Sequence, residues 1–192
     1  MLFPLASFQP REPLNVVSFS LLFHLGNFNS KVGTKHKNFV VGIFQVGSGR
    51  NGKCDYNRFT ISSIGMDLAV QIFDPSQPFC SDEISQQKNE IIFRNFWTTS
   101  VDGWNFAALV YDHEKSQLAA YDGNGMFDVI SNVVIEPTTT ELFSFGKANR
   151  NGKNVFLPSH FSLSCFSFHN SVLTWIEILQ IRCICNRELD RN

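Results

Sequence analysis

The stretch WNFAALVYDHEKSQLAAYDGNG, Trp104 to Gly125, reads as strand, polar turn, strand and second turn. Trp104 to Tyr111 is an apolar run with little polar interruption, the pattern of a strand covered on both faces. Asp112 to Ser116, DHEKS, is charged and seeks solvent, and Gln117 to Tyr121 returns as a second strand. Asp122-Gly123-Asn124-Gly125 then supplies two residues without a Cβ, suited to the positive φ of a tight turn. A hairpin of this kind belongs to a β-sandwich. It specifies an architecture and no chemistry.

The rest of the composition agrees. A chain of 192 residues fits one domain with enough buried area to fold without staples. It carries 20 Phe against three Tyr and three Trp, and phenylalanine combines strand preference with a large apolar surface. The formal charge is −1, from 16 basic and 17 acidic residues, which points neither to a nucleic-acid binder nor to a polybasic membrane protein. Cysteines stand at 54, 80, 165, 183 and 185 without a CxxC, which argues against a zinc knuckle or thioredoxin site. One or two disulfides in an oxidising compartment are expected, with buried free thiols as the alternative. The start, MLFPLASFQPREP, lacks the basic and apolar regions of a signal peptide, and no run reaches membrane-spanning length. An extracellular placement therefore implies a fragment or a missing leader exon.

Along the chain, further strands are expected at Val16–Leu25, Phe39–Val46, Arg58–Ile64, Met66–Phe73, Glu90–Trp97, Met126–Ile135, Leu142–Phe145 and Phe161–His169. Polar connections fall at 26–38, 47–53 and 74–90, and Gly146 to His160 reads as a long loop. One helix is expected near Thr174. Thr174-Trp175-Ile176-Glu177 fits a capping box, with Leu173 and Ile178 placed for a hydrophobic staple. The string RNGK recurs at 50–53 and 150–153 as two turn-forming tetrapeptides. Many strands and one short C-terminal helix make an all-β, antiparallel sandwich or jelly roll.

Motifs for chemistry are few. Gly47-Ser48-Gly49-Arg50-Asn51-Gly52 satisfies G-x-G-x-x-G, but the β-like KCDYNRFTISSI follows it where a dinucleotide site needs a helix. Histidines at 24, 36, 113, 160 and 169 show no metal-ligand spacing, and His24 and His169 read as core histidines within strands. There is no G-x-S-x-G nucleophile and no acidic ladder of a sandwich glycosidase. Asp102, Asp112, Asp122, Asn124 and Asp128 cluster near the hairpin without calcium-loop spacing, so local turn formation explains them better than Ca²⁺. No metal or cofactor site is expected. Lys31, Lys35, Lys37, Arg50, Lys53, Arg150 and Lys153 sit in three expected loops. On one rim they would form a basic patch for sulfated glycans or acidic proteins; otherwise they are ordinary solvated charge.

Trp104 to Asp112 followed by LAAYDG at 118–123 resembles the laminin-G/pentraxin group of concanavalin A-like domains, where a Trp-led strand precedes a hairpin and a Y-x-D-G-like turn. Leu142-Phe143-Ser144-Phe145-Gly146 is similar to that group's later strand, with Phe145 for the usual Ile. FSLSCFSFHN at 161–170 resembles its cysteine-bearing strand, with Leu163 where glycine is usual. SVLTWIEIL at 171–179 resembles the closing helix. The resemblance covers about residues 97 to 185, and strand order extends it back to 14.

It implies one domain over 14–186, with an irregular segment at 1–13 and a tail at 187–192. It also implies a disulfide from Cys165 to Cys183 or Cys185, with Cys54 and Cys80 as candidates for a second. The implied role is a non-catalytic, extracellular or cell-surface recognition module within a larger protein. Such a module would bind glycan or protein ligands through its loops or a sheet face, without nucleic acid and without a membrane span. The alternatives are a sandwich hydrolase acting on polysaccharide, which needs two acids converging in one cleft, and a degenerate spacer domain.

Overall fold

In stretches such as LFSF at 142–145 and SLSCFSFH at 162–169 phenylalanine recurs between other residues, and a period of two puts one face of each strand against a partner sheet. A computed structural model describes residues 7–8, 14–26, 40–51, 54–73, 79–80, 87–97, 104–136, 138–140, 142–150, 153–157 and 161–189. In order, the strands are β1 (Ser7–Phe8), β2 (Leu14–Val16), β3 (Phe19–Gly26), β4 (Val40–Asn51), β5 (Cys54–Ile64), β6 (Asp67–Phe73), β7 (Phe79–Cys80) and β8 (Gln87–Phe93). They continue with β9 (Trp104–Asp112), β10 (Gln117–Asp122), β11 (Gly125–Ser131), β12 (Thr138–Thr140), β13 (Leu142–Phe145), β14 (Lys147–Arg150), β15 (Lys153–Phe156) and β16 (Ser162–His169). Helix α1 (Trp175–Leu189) follows.

Two antiparallel sheets make the sandwich. A seven-stranded sheet runs β1-β13-β4-β5-β6-β8, with β7 on β5, and a five-stranded sheet runs β11-β10-β9-β3-β16. The expected hairpin is the β9–β10–β11 meander, and β3 pairs along the full length of β9 from Phe19↔Tyr111 to Gly26↔Trp104. The Trp104 ring lies over Gly26, where an added Cβ would meet it at 2.8 Å.

The core between the sheets is built from Phe. Phe19 of β3 stacks on Phe59 of β5 with ring centroids 4.7 Å apart, and Phe44 touches Phe59, Phe143, Phe145 and Phe166. Burying each such ring stabilises the fold by about 1.5–3 kcal/mol. A second apolar layer lies outside the five-stranded sheet, where α1 packs Ile178 against Leu22, Phe106, Ala108 and Val110.

Three expectations need correction. Gly146 to His160 is not one loop: Gly146 takes a φ of 68° and redirects the chain into the β14–β15 hairpin, with Ala148 opposite Val155. The connection expected at 47–53 is shorter, because β4 keeps its ladder with β5 out to Asn51↔Cys54. At the ends, β1 within the segment taken as irregular pairs with β13, and α1 continues to Leu189 into the expected tail.

Candidate functional site

Inside four adjacent strands of the larger sheet, polar residues interrupt apolar sequence. Phe44 and Val46, Phe59 and Ile61, and Val70 and Ile72 enter the core. Alternation then turns Gln45, Thr60 and Gln71 to the outer face of the sheet. Register lines them up: Gln45↔Thr60, Thr60↔Gln71 and Gln71↔Glu90. The result is an unbroken polar row across β4, β5, β6 and β8. Its first three members are 2%, 1% and 0% exposed, and Gln71 Nε2 donates to Glu90 Oε1 at 3.3 Å.

Along β5, Arg58 and Ser62 flank Thr60 on the same face. Arg58 is half-buried, and the Ser62 Oγ is buried without a hydrogen-bond partner among the described residues. Amides and hydroxyls both donate and accept, which suits the vicinal hydroxyls of a sugar, and a guanidinium suits a carboxylate. Sequence reading missed this row. Its signal is polar residues at outward positions between apolar ones, but only register shows that they align.

One row further, Gly42 pairs with Ser62, and the β14–β15 hairpin lies directly on Gly42. A Cβ there would stand 2.2 Å from the Val155 carbonyl oxygen and 2.5 Å from the Ala148 nitrogen. The hairpin thus seats beside the polar row because β4 has no side chain at that point.

The seven basic residues expected on one rim are placed as follows. Lys31, Lys35, Lys37 and Lys53 lie outside the described residues. Arg150 and Lys153 are paired at the end of the β14–β15 hairpin, and Arg50 pairs with Asp55 near the β4–β5 turn. The G-x-G-x-x-G string lies in β4 as far as Asn51, and the next described element is strand β5 rather than the helix that a phosphate cradle requires.

The carboxylates around the central hairpin serve turns. Asp112 pairs with Lys115 at 2.8 Å, and the hydrogen bond from the Lys115 side chain holds its carboxyl below the usual 3.8. Asp122 Oδ1 accepts from the backbone N–H of Asn124 at 2.7 Å and of Gly125 at 3.1 Å. Asp128 accepts from the N–H of Val129, and Asp102 lies outside the described residues.

The disulfide expected from Cys165 is not formed. Cys165, Cys183 and Cys185 form no disulfide, Cys183 is exposed on α1, and the Cys185 thiol instead donates to the Cys165 carbonyl at 3.9 Å. The helix turns 183 and 185 about 200° apart, so only Cys185 faces the sheet. Cys54 and Cys80 are opposed residues of β5 and β7.

Neither a protein-family model nor a curated sequence matches the chain. Solved structures do. The CBM40 of Ruminococcus gnavus IT-sialidase bound to α2,3 sialyllactose aligns with a TM-score of 0.57 at 12% identity, over 91% of this chain and 95% of that one. The native heptameric SAP-like pentraxin from Limulus polyphemus gives a TM-score of 0.55 at 15% identity, over 92% and 74%. The Botulinum neurotoxin serotype G binding domain gives 0.57 at 11% identity, over 88% of this chain and 36% of that one. At such identities the agreement is one of fold, and the fold is the concanavalin A-like jelly-roll sandwich. Among the described residues no helix is long and apolar enough to cross a membrane.

Proposed function

We propose that this concanavalin A-like sandwich is a non-catalytic carbohydrate-recognition module that takes an acidic, sialylated glycan on the outer face of its larger sheet. The observation that carries the reading is the in-register row Gln45–Thr60–Gln71–Glu90 with Arg58 beside it. The half-buried Arg58 would take the glycan carboxylate and the half-buried Glu90 a sugar hydroxyl, while the buried Gln45, Thr60 and Gln71 would hold these two from within the sheet. The hairpin carrying Arg150 and Lys153 would wall the site on one side. A sialyllactose-bound CBM40 of the same fold supports the ligand class.

An extracellular or cell-surface setting, within a larger protein, goes with this role. The opposed Cα positions of Cys54 and Cys80 support it, since the spacing of antiparallel partners suits a cross-strand bridge. Alkylation of the protein without reductant, followed by peptide mass analysis, is expected to leave Cys54 and Cys80 unmodified. Their full alkylation would remove that argument.

Calorimetric titration with α2,3-sialyllactose and with lactose tests the function. Binding of the sialylated sugar alone is expected, weakened roughly tenfold by Arg58→Ala and by Glu90→Ala, each of which deletes one polar contact. Equal binding of both sugars, or undiminished binding by both variants, would overturn the site. Release of reducing sugar from a polysaccharide would instead favour the hydrolase, and no binding to any glycan on an array would favour a spacer.

A further inference from the structure

The side of the sandwich away from the polar row holds a second cluster. On the outer face of β3, Ser20, Leu22 and His24 point away from the core, and α1 crosses above them. Trp175, Ile178, Arg182 and Cys185 fall on one helical face by their spacing. Each meets the sheet: Trp175 stacks on Tyr121 at 5.4 Å, Ile178 is fully buried, and the Arg182 guanidinium lies 5.3 Å from the Phe106 ring centroid and donates to the Gly123 carbonyl. Cys185 ends the row above His24, whose ring packs on Phe106 at 5.2 Å.

The third member reaches this face through a distortion. Ser164 pairs with His24 and Ser167 with Leu22, so Cys165 and Phe166 share the place opposite Phe23. In an even ladder Cys165 would point the opposite way from Ser164, into the core. Instead Cys165 adopts a φ of 51°, a left-handed conformation unfavourable for a residue with a Cβ, and the bulge turns its thiol to the His24 side. One ligand atom from each of His24, Cys165 and Cys185 then lies within 4.8 Å of the others.

We propose that His24, Cys165 and Cys185 form a Cys₂His site for Zn²⁺, with the fourth coordination position open. Around tetrahedral zinc, with Zn–S of about 2.3 Å and Zn–N of about 2.0 Å, the ligand atoms stand roughly 3.5–3.8 Å apart. Closing from the present spacing requires movements of about 1 Å or less. Two thiolates and an imidazole select zinc over the hard cations that favour oxygen. Binding releases the two thiol protons and changes no oxidation state. The site links β3 to β16 and α1 near the opposite end of the sequence, which is why no spacing motif announces it. It stands independently of the glycan reading.

The test uses the full chain, reduced and freed of metal, titrated with Co²⁺ and then Zn²⁺. One Co²⁺ per chain is expected, with thiolate-to-cobalt charge transfer and the visible bands of a four-coordinate site, both erased by Zn²⁺. Zinc at a hundredfold excess over its Kd should raise the melting temperature by about 5–10 °C. Cys185→Ser, on a half-exposed helix position, should abolish both effects while preserving the circular dichroism spectrum, and the exposed Cys183→Ser should preserve both effects. Cys165→Ser and His24→Gln should weaken binding at least tenfold. Absence of the cobalt bands, full affinity in folded Cys185→Ser, or a Cys165–Cys185 disulfide in a protein that ignores zinc after reduction would each overturn the proposal.

Discussion

Tyr111 carries a hydroxyl to the buried end of β9, where it accepts a hydrogen bond from the Ile135 N–H at 3.0 Å and reaches the Val133 carbonyl at 3.4 Å. That contact ties the irregular segment after β11 to the sheet. Tyr111→Phe keeps the ring and strands a buried N–H, so urea denaturation should show a loss of about 1–3 kcal/mol. Gly42 makes the opposite kind of demand, for absence of matter. Gly42→Ala meets backbone atoms that cannot rotate away, so thermal melting should show a loss of about 1–3 kcal/mol or more, with the β14–β15 hairpin displaced. Gly123 and Gly125 divide the roles expected of them in the turn. Gly125 takes the positive φ of 142°, and Gly123 leaves room for the Arg182 guanidinium, which a Cβ would meet at 3.2 Å. The sequence shows that a turn is there. Which glycine serves conformation and which serves clearance depends on a helix some sixty residues later.

Helix α1 shows how far local signals reach. The capping box forms as its four-residue signature requires: Glu177 Oε2 accepts from the Thr174 N–H at 2.7 Å and hydroxyl at 2.8 Å, and the Glu177 N–H donates back to Thr174 Oγ1. Leu173 and Ile178 join one apolar cluster, as a staple should. Thr174→Ala should lower stability by about 1 kcal/mol by chemical denaturation. The Thr174 backbone and hydroxyl donors hold the Glu177 carboxyl below its ordinary 4.5. A depressed carboxylate contributes stability that is fully present above the ordinary value and is lost as pH falls through the depressed one. The difference in melting temperature between the wild type and Glu177→Ala should therefore be constant above about pH 5 and shrink as the solution is acidified further. A gap that widens in acid would contradict the box. Capping is legible because every participant lies within four residues. The β14–β15 hairpin was not, because KANR and KNVF show only Ala148 and Val155 as a facing apolar pair among charged neighbours.

At the scale of the molecule, alternation and phenylalanine content sufficed for the sandwich, because each strand separately records which side it buries. The functional faces did not emerge in the same way. Gln45, Thr60 and Gln71 become a row only when two ladders adopt one register, and Cys165 changes sides only because of a bulge that FSLSCFSF does not betray. A final consequence follows from the position of β3 between β9 and β16. A ribosome makes β3 well before β16, so the apolar strand Phe19–Gly26 must stay without one neighbour while all the strands between them are made. Nascent chains of this topology need shelter, and a version stopped after residue 160 should be found in inclusion bodies or on chaperones, whereas one stopped after α1 should be soluble.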